Sequence, residues 1–221
     1  MPQTVPHPVS TPEHTDTARD RLLDVAEELF AQHGFNATST RMVATVAKVN
    51  LGSVHYYFNS KEALYLEVFR RRGVPIVAAR LRLLDEAQAK AKGKPIPVRE
   101  LLRCFVQPFL ETSLRLAPPA FAQLHCRLPA EPVELAMLVR GSIYNDSTRT
   151  FVRAFARTLS HLPDEVLYWR LHFVIGAYNY TLTPSGRLEF ISEGKCKGTD
   201  LDTAFKQILP FLEAGLTAPI P

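Results

Sequence analysis

Cysteine is scarce in this sequence. Among the 221 residues, Cys104, Cys126 and Cys196 lie far apart and form no CxxC pair. Such a sparse, odd-numbered set predicts free thiols in a reducing compartment, and it excludes a disulfide framework or a zinc cage. Long apolar runs are absent too, since no run approaches the ~18 residues of a membrane span. The first residues also lack the basic segment and apolar core of a secretion signal. We therefore expect a cytoplasmic protein that contacts no membrane.

Motifs of catalysis are missing as well. The sequence has no Gly-rich phosphate loop, no GxSxG and no metal-ligand spacing. The neighbouring pair His125 and Cys126 does not have the spacing of a metal site, and a core thiol beside a polar histidine explains it better. The sequence therefore predicts no enzyme, no catalytic residue, no metal and no cofactor.

What is present is a helical pattern. Hydrophobic residues make up 46% of the chain and charged residues 22%, which is typical of a globular protein and excludes disorder throughout. No stretch alternates as a strand does, so we predict an all-α fold. Residues 1–15 are rich in Pro, Thr and His and predict a flexible tail.

The N-terminal pattern predicts three helices and the beginning of a fourth. Thr17 can cap a first helix that ends at Gly34. Ser39 or Thr40 can cap a second, and the tight turn Lys48-Val49-Asn50 leads to a third near Leu51 to Tyr57. Two short helices joined by so tight a turn are a helix-turn-helix. The predicted domains are therefore the tail, a helix-turn-helix domain over 16–62 and a helical regulatory and dimerisation domain over 63–221.

The remaining pattern predicts further helices, punctuated by Pro and Gly. Pro108 and Pro210 lie inside helical patterns and should kink them. The loop 185–198 is rich in Gly and charge, and it either packs against a partner or is mobile. The predicted helices are Lys61 to about Arg72, Pro75–Ala91, Val98–Leu116, Pro118–Arg127, Val133–Leu159, Asp164–Leu182 and Thr199–Leu216.

Positive charge is concentrated near the helix-turn-helix. Between Phe35 and Gly73 there are six cations and two anions, a surplus of four that equals the net charge of the whole chain. This distribution points to one face that docks on an anion. The cations are Arg41, Lys48, Lys61, Arg70, Arg71 and Arg72.

The third predicted helix has the character of a DNA-recognition helix. Val54 and Phe58 are four residues apart and should face the core, whereas the other side carries small or polar groups. A helix that enters a major groove needs a thin leading edge and reachable hydrogen-bonding groups. The groups that should be exposed are Gly52, Ser53, His55 and Tyr56.

The N-terminal segment resembles the TetR/AcrR family of bacterial transcription regulators. The resemblance runs from about Thr17 to Phe69 and rests on the first-helix pattern Ala26–Phe35, on Thr38–Thr40 and on Gly52–Leu64. It implies a homodimer that binds a palindromic operator in double-stranded DNA, usually as a repressor that a small ligand releases.

The resemblance also implies DNA contacts residue by residue. Arg41 matches a base-reading position, and its guanidinium can bind guanine O6 and N7 together. The family commonly has Tyr at the position of His55 and His at that of Tyr57, so the base preference there is open. The matched contact positions are Leu51, Gly52, Ser53 and His55 for bases, and Thr40, Tyr56, Tyr57 and Lys61 for phosphates.

Several of these residues have other interpretations. Lys61 opposes the dipole of its own helix, which makes sense if a phosphate binds there, but it can also point into water. Tyr57 can belong to the core. Arg70, Arg71 and Arg72 fit a solvated helix end better than a DNA contact.

The C-terminal half has two helices that predict a dimer. The helix Asp164–Leu182 is apolar nearly all round, so it must be covered on two sides, and Gly176-Ala177 would let two copies approach closely. The helix Thr199–Leu216 repeats this pattern. The resemblance implies a four-helix bundle formed with the partner's copies of these helices. The alternative is a monomer in which the first of them is fully buried.

The C-terminal half also loosely resembles the PsrA-like branch of the family, on Leu162–Ala177 and Ile208–Gly215. That implies a small hydrophobic effector such as a fatty acid or an acyl-CoA. Candidate carboxylate partners are Arg127, Arg140 and Arg170, and candidate lining residues are Phe105, Phe109, Phe121, His125, Leu138, Tyr144 and Phe173. Core packing for the aromatic residues and surface or dimer pairing for the arginines are the simpler interpretation of each. The rival functions are a ligand-independent DNA-binding protein and a helical lipid-binding protein.

Overall fold

The computed structural model describes residues 17–112, 119–181, 183 and 185–220. Over these residues the regular elements are all helical, as predicted. The predicted tail 1–15, the predicted end at Leu116 and start at Pro118, and Leu182 lie outside the described residues. The α-helices are α1 Ala18–Ala37, α2 Thr40–Val46, α3 Leu51–Phe58, α4 Lys61–Ala91, α5 Val98–Glu111, α6 Pro119–Arg127, α7 Val133–Val139, α8 Asn145–Thr158, α9 Asp164–Thr181, α10 Arg187–Ile191 and α11 Leu201–Thr217.

Side-chain caps begin each of the first four helices. The hydroxyls of Thr17, Ser39 and Ser60 accept from backbone N–H groups three residues on, each at 3.1 Å. The Asn50 side chain accepts from the N–H of Gly52 at 2.8 Å. Because these bonds satisfy N–H groups that have no partner inside the helix, they define where α1 to α4 begin. The predicted helix-turn-helix is therefore present.

Gly34 interrupts α1 where the sequence predicts its end. Its φ of 78° is non-helical, and the Thr38 hydroxyl donates to its carbonyl at 2.9 Å. Only glycine takes this conformation without strain. The first three helices and the start of α4 enclose one core that includes Phe30, Val54 and Phe58.

Helix α4 is continuous from Lys61 to Ala91, so the predicted break between Arg72 and Pro75 is wrong. Pro75 has no backbone N–H to donate, but the side chains of Phe69 before it and Ile76 after it are both buried. Tertiary packing therefore outweighs the local helix-breaking signal. The predicted domain boundary at 62/63 falls inside the first turn of α4, which runs from one half into the other.

The predicted single helix Val133–Leu159 is divided by a π-helical segment, Arg140–Tyr144. Tyr144 is buried there, and a Cβ atom on Gly73 would lie 2.6 Å from its hydroxyl oxygen. The π-helical segment thus carries Tyr144 against the bare backbone of α4.

The predicted loop 185–198 contains the short helix α10. Its position is fixed by Glu189, whose carboxylate accepts from the N–H of Gly198 at 2.6 Å. The three cysteines are free thiols, as predicted.

Candidate nucleic-acid interface and the interior of the C-terminal half

Helix α3 presents its two sides as predicted. Val54 and Phe58 are buried, whereas Gly52 and His55 are exposed and the Tyr56 side chain is 80% exposed. Leu51 and Ser53 are half-buried at the edge of this face. The division follows from the 3.6-residue period, which places positions 54 and 58 on one side of the helix. The exposed side is thin at Gly52 and polar beyond it.

Helix α2 adds two of the predicted contact residues beside α3. Thr40, the first residue of the helix, is half-buried, and Arg41 is exposed. The N-cap of α2 is Ser39 and not Thr40, so the Thr40 hydroxyl does not serve as the cap. Helices α2 and α3 pack on each other, so Thr40 and Arg41 lie on the helix next to α3.

Tyr57 lies outside the buried core. Its side chain is 39% exposed, and its ring contacts those of Tyr56 at 5.0 Å and Phe58 at 6.1 Å between centroids. The interpretation of Tyr57 as a core residue is therefore wrong. Its ring packs at the border of the exposed face.

Lys61 is bound within the chain. Its ammonium group donates to the carbonyls of Phe35 at 2.8 Å and Thr38 at 2.9 Å, and it lies 4.1 Å from the centre of the Phe35 ring. These carbonyls belong to the C-terminal end of α1, where a cation is favourable. Lys61 thus fastens α4 to α1, a contact that the sequence did not predict. Two of its three donors are used.

The triple-arginine segment also serves internal contacts. Arg71 binds Asp24 at 2.7 Å and Glu27 at 2.9 Å, and Arg72 binds Glu27 at 3.1 Å. A solvated helix end is therefore wrong for this segment, because α4 continues past it and the two guanidinium groups join α4 to α1. Arg70 is exposed, 3.9 Å from Glu67.

Two cations of the basic segment have no intramolecular ion pair within the described residues. They are Arg41 and Lys48, and both are exposed. Lys48 lies in the turn between α2 and α3 with a φ of 54°. The sequence analysis did not select Lys48 as a contact, although its place in the turn of a helix-turn-helix was the available signal.

Five of the predicted effector-lining residues meet in the interior of the C-terminal half. The His125 ring is 4.3 Å from Phe109, 6.1 Å from Phe121 and 5.6 Å from Tyr144 between centroids. Phe105 joins them through Tyr178, with ring centroids 5.9 Å apart. We call these residues, with Arg80 described below, the aromatic cluster.

The structure does not bring Leu138 and Phe173 to the aromatic cluster. Their side chains are 42% and 63% exposed, so the prediction that they line the interior is wrong. Helical periodicity alone could not assign them, because α7 and α9 each have more apolar residues than one buried side needs.

None of the three predicted carboxylate-binding arginines belongs to the aromatic cluster. Arg170 donates to the carbonyls of Leu216 at 2.7 Å and Pro219 at 3.0 Å, and it caps α11. Arg127 lies against Gly34 and 3.8 Å from Glu131. Arg140 is exposed at the surface.

A different arginine occupies the aromatic cluster. Arg80 of α4 is only 2% exposed, and its Nε donates to the Phe105 carbonyl at 2.7 Å. Its guanidinium carbon lies 4.3 Å from the centre of the Phe105 ring. The sequence signal for Arg80 was its position midway between Ile76 and Leu84, on the buried stripe of α4.

Burial alters the acid–base behaviour of this cluster. Desolvation, with the charge of Arg80 as the next cause, lowers the pKa of His125 to about 3. Desolvation also raises the pKa of Tyr144 far above its ordinary value. His125 is therefore neutral and Tyr144 protonated at pH 7. Beside the cluster, α5, α8 and α9 line a partly open cavity of about 40 Å³, with residues such as Phe105 and Phe151 in its wall.

A polar junction joins the two halves of the chain. The Glu131 carboxylate accepts from the N–H of Phe35 at 3.1 and 3.2 Å. Glu131 follows α6, which packs along α1 and carries both His125 and Arg127. The sequence analysis did not find this junction, because Glu131 lies in a Pro-rich turn and its partner is a backbone group.

The second apolar side of α9 is exposed in the single chain. Leu167, Leu171, Val174 and Tyr178 are buried, as the predicted stripe requires, while the opposite side is open to solvent. A Cβ atom on Gly176 would meet no atom within 4 Å. The exposed large side chains of α9 and α11 are Tyr168, Trp169, Phe173, Tyr180 and Phe211.

No described helix is both long enough and apolar enough to cross a membrane. No group of three or more His, Cys, Asp or Glu side chains in the described ranges could hold a metal ion.

Comparison with known proteins assigns the family. The model of bacterial regulatory proteins of the tetR family matches residues 22–68, and the tetracyclin repressor-like C-terminal domain matches residues 103–215, about half of the chain. The chain therefore belongs to the TetR family. Its helix-turn-helix and its helical C-terminal half are the two parts that the family models describe.

Individual relatives match over shorter stretches. The chain is 40% identical to the transcriptional regulator QacR of Staphylococcus aureus over 50 residues, 23% of this chain and 27% of that protein. It is 34% identical to the transcriptional regulator AcrR of Shigella flexneri over 93 residues, 42% of this chain and 41% of that protein. The matches thus span well under two thirds of either relative.

Solved structures agree over nearly the whole chain. A TetR family transcription regulator from Marinobacter aquaeolei VT8 superposes with a TM-score of 0.61 at 17% identity, covering 93% of this chain and 98% of that one. At this identity the agreement establishes the fold alone.

Proposed function

We propose that the protein is a DNA-binding transcriptional regulator, a homodimeric repressor that a small hydrophobic effector releases from a palindromic operator. The observation that carries the proposal is the two-sided character of α3, which buries Val54 and Phe58 and exposes Gly52, His55 and Tyr56. An exposed helix with a bare leading edge and polar groups beyond it suits a major groove.

Phosphate binding is assigned to the edges of this face. The N-termini of α2 and α4 carry N–H groups that favour an anion, and Thr40 and Lys61 are the first residues of those helices. Tyr56 and Tyr57 border the face, and Lys48 supplies a cation that has no ion-pair partner among the described residues. Because Lys61 already binds two carbonyls, its larger role in this proposal is to hold α4 in place.

Dimerisation is assigned to the exposed side of α9 together with α11, the predicted segments Asp164–Leu182 and Thr199–Leu216. Several large apolar side chains stand exposed there in one chain, and Gly176 leaves room for close approach. A two-fold dimer would present two copies of α3 to one face of the DNA, as a palindromic operator requires.

Effector release is assigned to α6. This helix carries His125 in the aromatic cluster and Arg127 beside Gly34, only two residues apart, and it leads into Glu131. A ligand that displaces His125 would therefore shift the contact with Phe35 and turn the first three helices. The ligand can change DNA binding only if its own affinity differs between the two arrangements of the first three helices.

The choice of a fatty acid or an acyl-CoA as effector rests on the loose PsrA-like resemblance. The cavity beside the cluster, about 40 Å³, is far below the roughly 300 Å³ of a typical ligand site. A compact interior of this kind favours the second candidate, a ligand-independent DNA-binding protein. The helical lipid-binding protein has no comparable support.

An operator selection with the purified protein, followed by gel-shift titration, tests the proposal. Arg41→Ala and His55→Ala should each weaken operator binding by roughly 5- to 150-fold and relax the base preference at one position. Lys48→Ala should weaken binding to all sequences alike and make it less dependent on salt. Arg149→Ala, an exposed change on α8, is the control that should have no effect.

Two results would contradict the proposal. One is the absence of any preferred sequence in the selection, which would indicate an organiser of DNA. The other is operator affinity that is unchanged by Arg41→Ala and His55→Ala, which would move the contact away from α2 and α3.

A further inference from the structure

Three buried polar atoms in the aromatic cluster have no hydrogen-bond partner among the described residues. They are Nη2 of Arg80, Nδ1 of His125 and the hydroxyl of Tyr144. Arg80 is 2% exposed, and His125 and Tyr144 are each 8% exposed. Buried polar groups are nearly always satisfied, so three orphans in one place call for an explanation.

The charge of Arg80 is also unbalanced. No carboxylate of the described residues lies within ion-pair distance of it, and its one hydrogen bond goes to a backbone carbonyl. The segment 113–118, which the structure does not describe, contains no acidic residue. A buried guanidinium normally has an acid beside it, because desolvation of an unpaired charge is costly.

The unpartnered groups suit one chemical class. Arg80 and Tyr144 can donate hydrogen bonds, and neutral His125 can donate through one of its ring nitrogens. A carboxylate is purely an acceptor, so it can receive all of these bonds while its charge balances that of Arg80.

The surroundings add a second requirement. The rings of Phe105, Phe109 and Phe121 line the cluster, and Phe105 also borders the apolar cavity of about 40 Å³. A ligand whose carboxylate meets Arg80 would therefore have its remainder among aromatic rings. The π-helical segment that carries Tyr144 and the packing of α5 against α4 would have to open to admit it.

We propose that the aromatic cluster binds an organic monocarboxylate with an apolar body, whose carboxylate is received by Arg80, Tyr144 and His125. This inference rests on the proposed function, since it names the chemical class of the effector. It also assigns the charge recognition to Arg80, a residue of the helix that joins the two halves.

Calorimetric titration of the purified full chain tests the inference. The probes are benzoate and decanoate, each paired with its uncharged amide. We expect an acid to bind and its amide to bind at least about 10-fold more weakly, because the amide brings no charge to Arg80. Tyr144→Phe should weaken acid binding by about 10-fold, and Arg80→Met should abolish it.

The controls separate folding from binding. Tyr144→Phe removes only an unpartnered hydroxyl, so the variant should fold as the wild type does. Arg82→Met, an exposed change two residues from Arg80, should leave acid binding unchanged.

Three outcomes would overturn the inference: no binding of either acid, equal binding of acid and amide, or unchanged acid binding in both Tyr144→Phe and Arg80→Met. Operator binding is measured on the same preparations. Operator binding without acid binding refutes this inference alone, whereas loss of sequence-specific DNA binding by the wild type refutes the proposed function.

Discussion

The two halves of the chain treat a buried charge in opposite ways. In the N-terminal half Glu27 is 1% exposed, and one of its oxygens binds Arg71 at 2.9 Å and Arg72 at 3.1 Å. In the C-terminal half Arg80 is 2% exposed and has no acid beside it in the described residues. The charge of Glu27 is paired within the protein through one oxygen, while its other oxygen has no hydrogen-bond partner among the described residues. The charge of Arg80 has no ion-pair partner in the same part of the chain.

The difference matches the tasks that we propose for the two halves. A helix-turn-helix must hold its reading helix rigidly, and the ion pairs of Glu27 join α1 to α4 for that purpose. An effector site must form new hydrogen bonds or ion pairs when the ligand binds, so its polar groups lack partners in the free protein. We therefore expect a paired buried charge to hold two helices together and an unpaired buried charge to bind a ligand.

The largest expected effect comes from removing the charge of Glu27. Glu27→Gln should lower the free energy of unfolding by about 2–3 kcal/mol, because two guanidinium groups lose their acid, although both are partly open to water. Arg80→Met should lower it by only about 1 kcal/mol, because the hydrogen bond to the Phe105 carbonyl is lost but no ion pair is broken. Urea denaturation measures both values.

Glu28→Gln, an exposed change next to Glu27, is the control and should have almost no effect. If Arg80→Met destabilises the protein as much as Glu27→Gln does, Arg80 is a structural residue and the contrast between the halves disappears.

The next effect is a dependence of stability on pH. The pKa of His125 is about 3 in the folded chain and about 6.5 when unfolded. Between these values the unfolded chain binds the extra proton, so stability is present above pH 6.5 and is lost as the pH falls. At pH 5 this group should have cost about 2 kcal/mol.

Denaturation of wild type and His125→Phe between pH 7.5 and 5 measures this dependence. The variant should lose less stability on acidification, whereas His161→Gln, at an exposed site, should follow the wild type. Equal losses of unfolding free energy in wild type and His125→Phe would show that protonation of His125 does not destabilise the folded chain. Water would then have access to the cluster.

The smallest effect concerns two glycines. Gly34→Ala should destabilise the protein by about 1–2 kcal/mol, because Gly34 has a φ of 78° and its Cβ would lie 2.7 Å from Arg127 Nη2. Gly176→Ala should stabilise the single chain by up to about 1 kcal/mol, since the site is open and helical.

Thermal unfolding and sedimentation of both variants check these values. Under the proposed dimer, Gly176→Ala should also weaken self-association. A Gly34→Ala variant as stable as the wild type would mean that the junction between the halves is loose.

The local structure of the N-terminal half could be predicted from the order of its residues. The caps at Thr17, Ser39, Asn50 and Ser60 and the division of α3 into buried and exposed sides depend on neighbours within four residues. Such features can be predicted from spacing. Helical spacing also indicated the side chains of Phe105, Phe109, Phe121, His125 and Tyr144. It misassigned Leu138 and Phe173, because their helices have apolar residues on more than one side.

The features that join distant segments came from tertiary packing. It carried α4 through Pro75, bound Lys61 to the end of α1, and paired Arg71 and Arg72 with Glu27, more than forty positions away. It also left Arg80 alone among aromatic rings. Whether a charge is paired or open depends on what folding brings beside it, and no spacing along the chain records that.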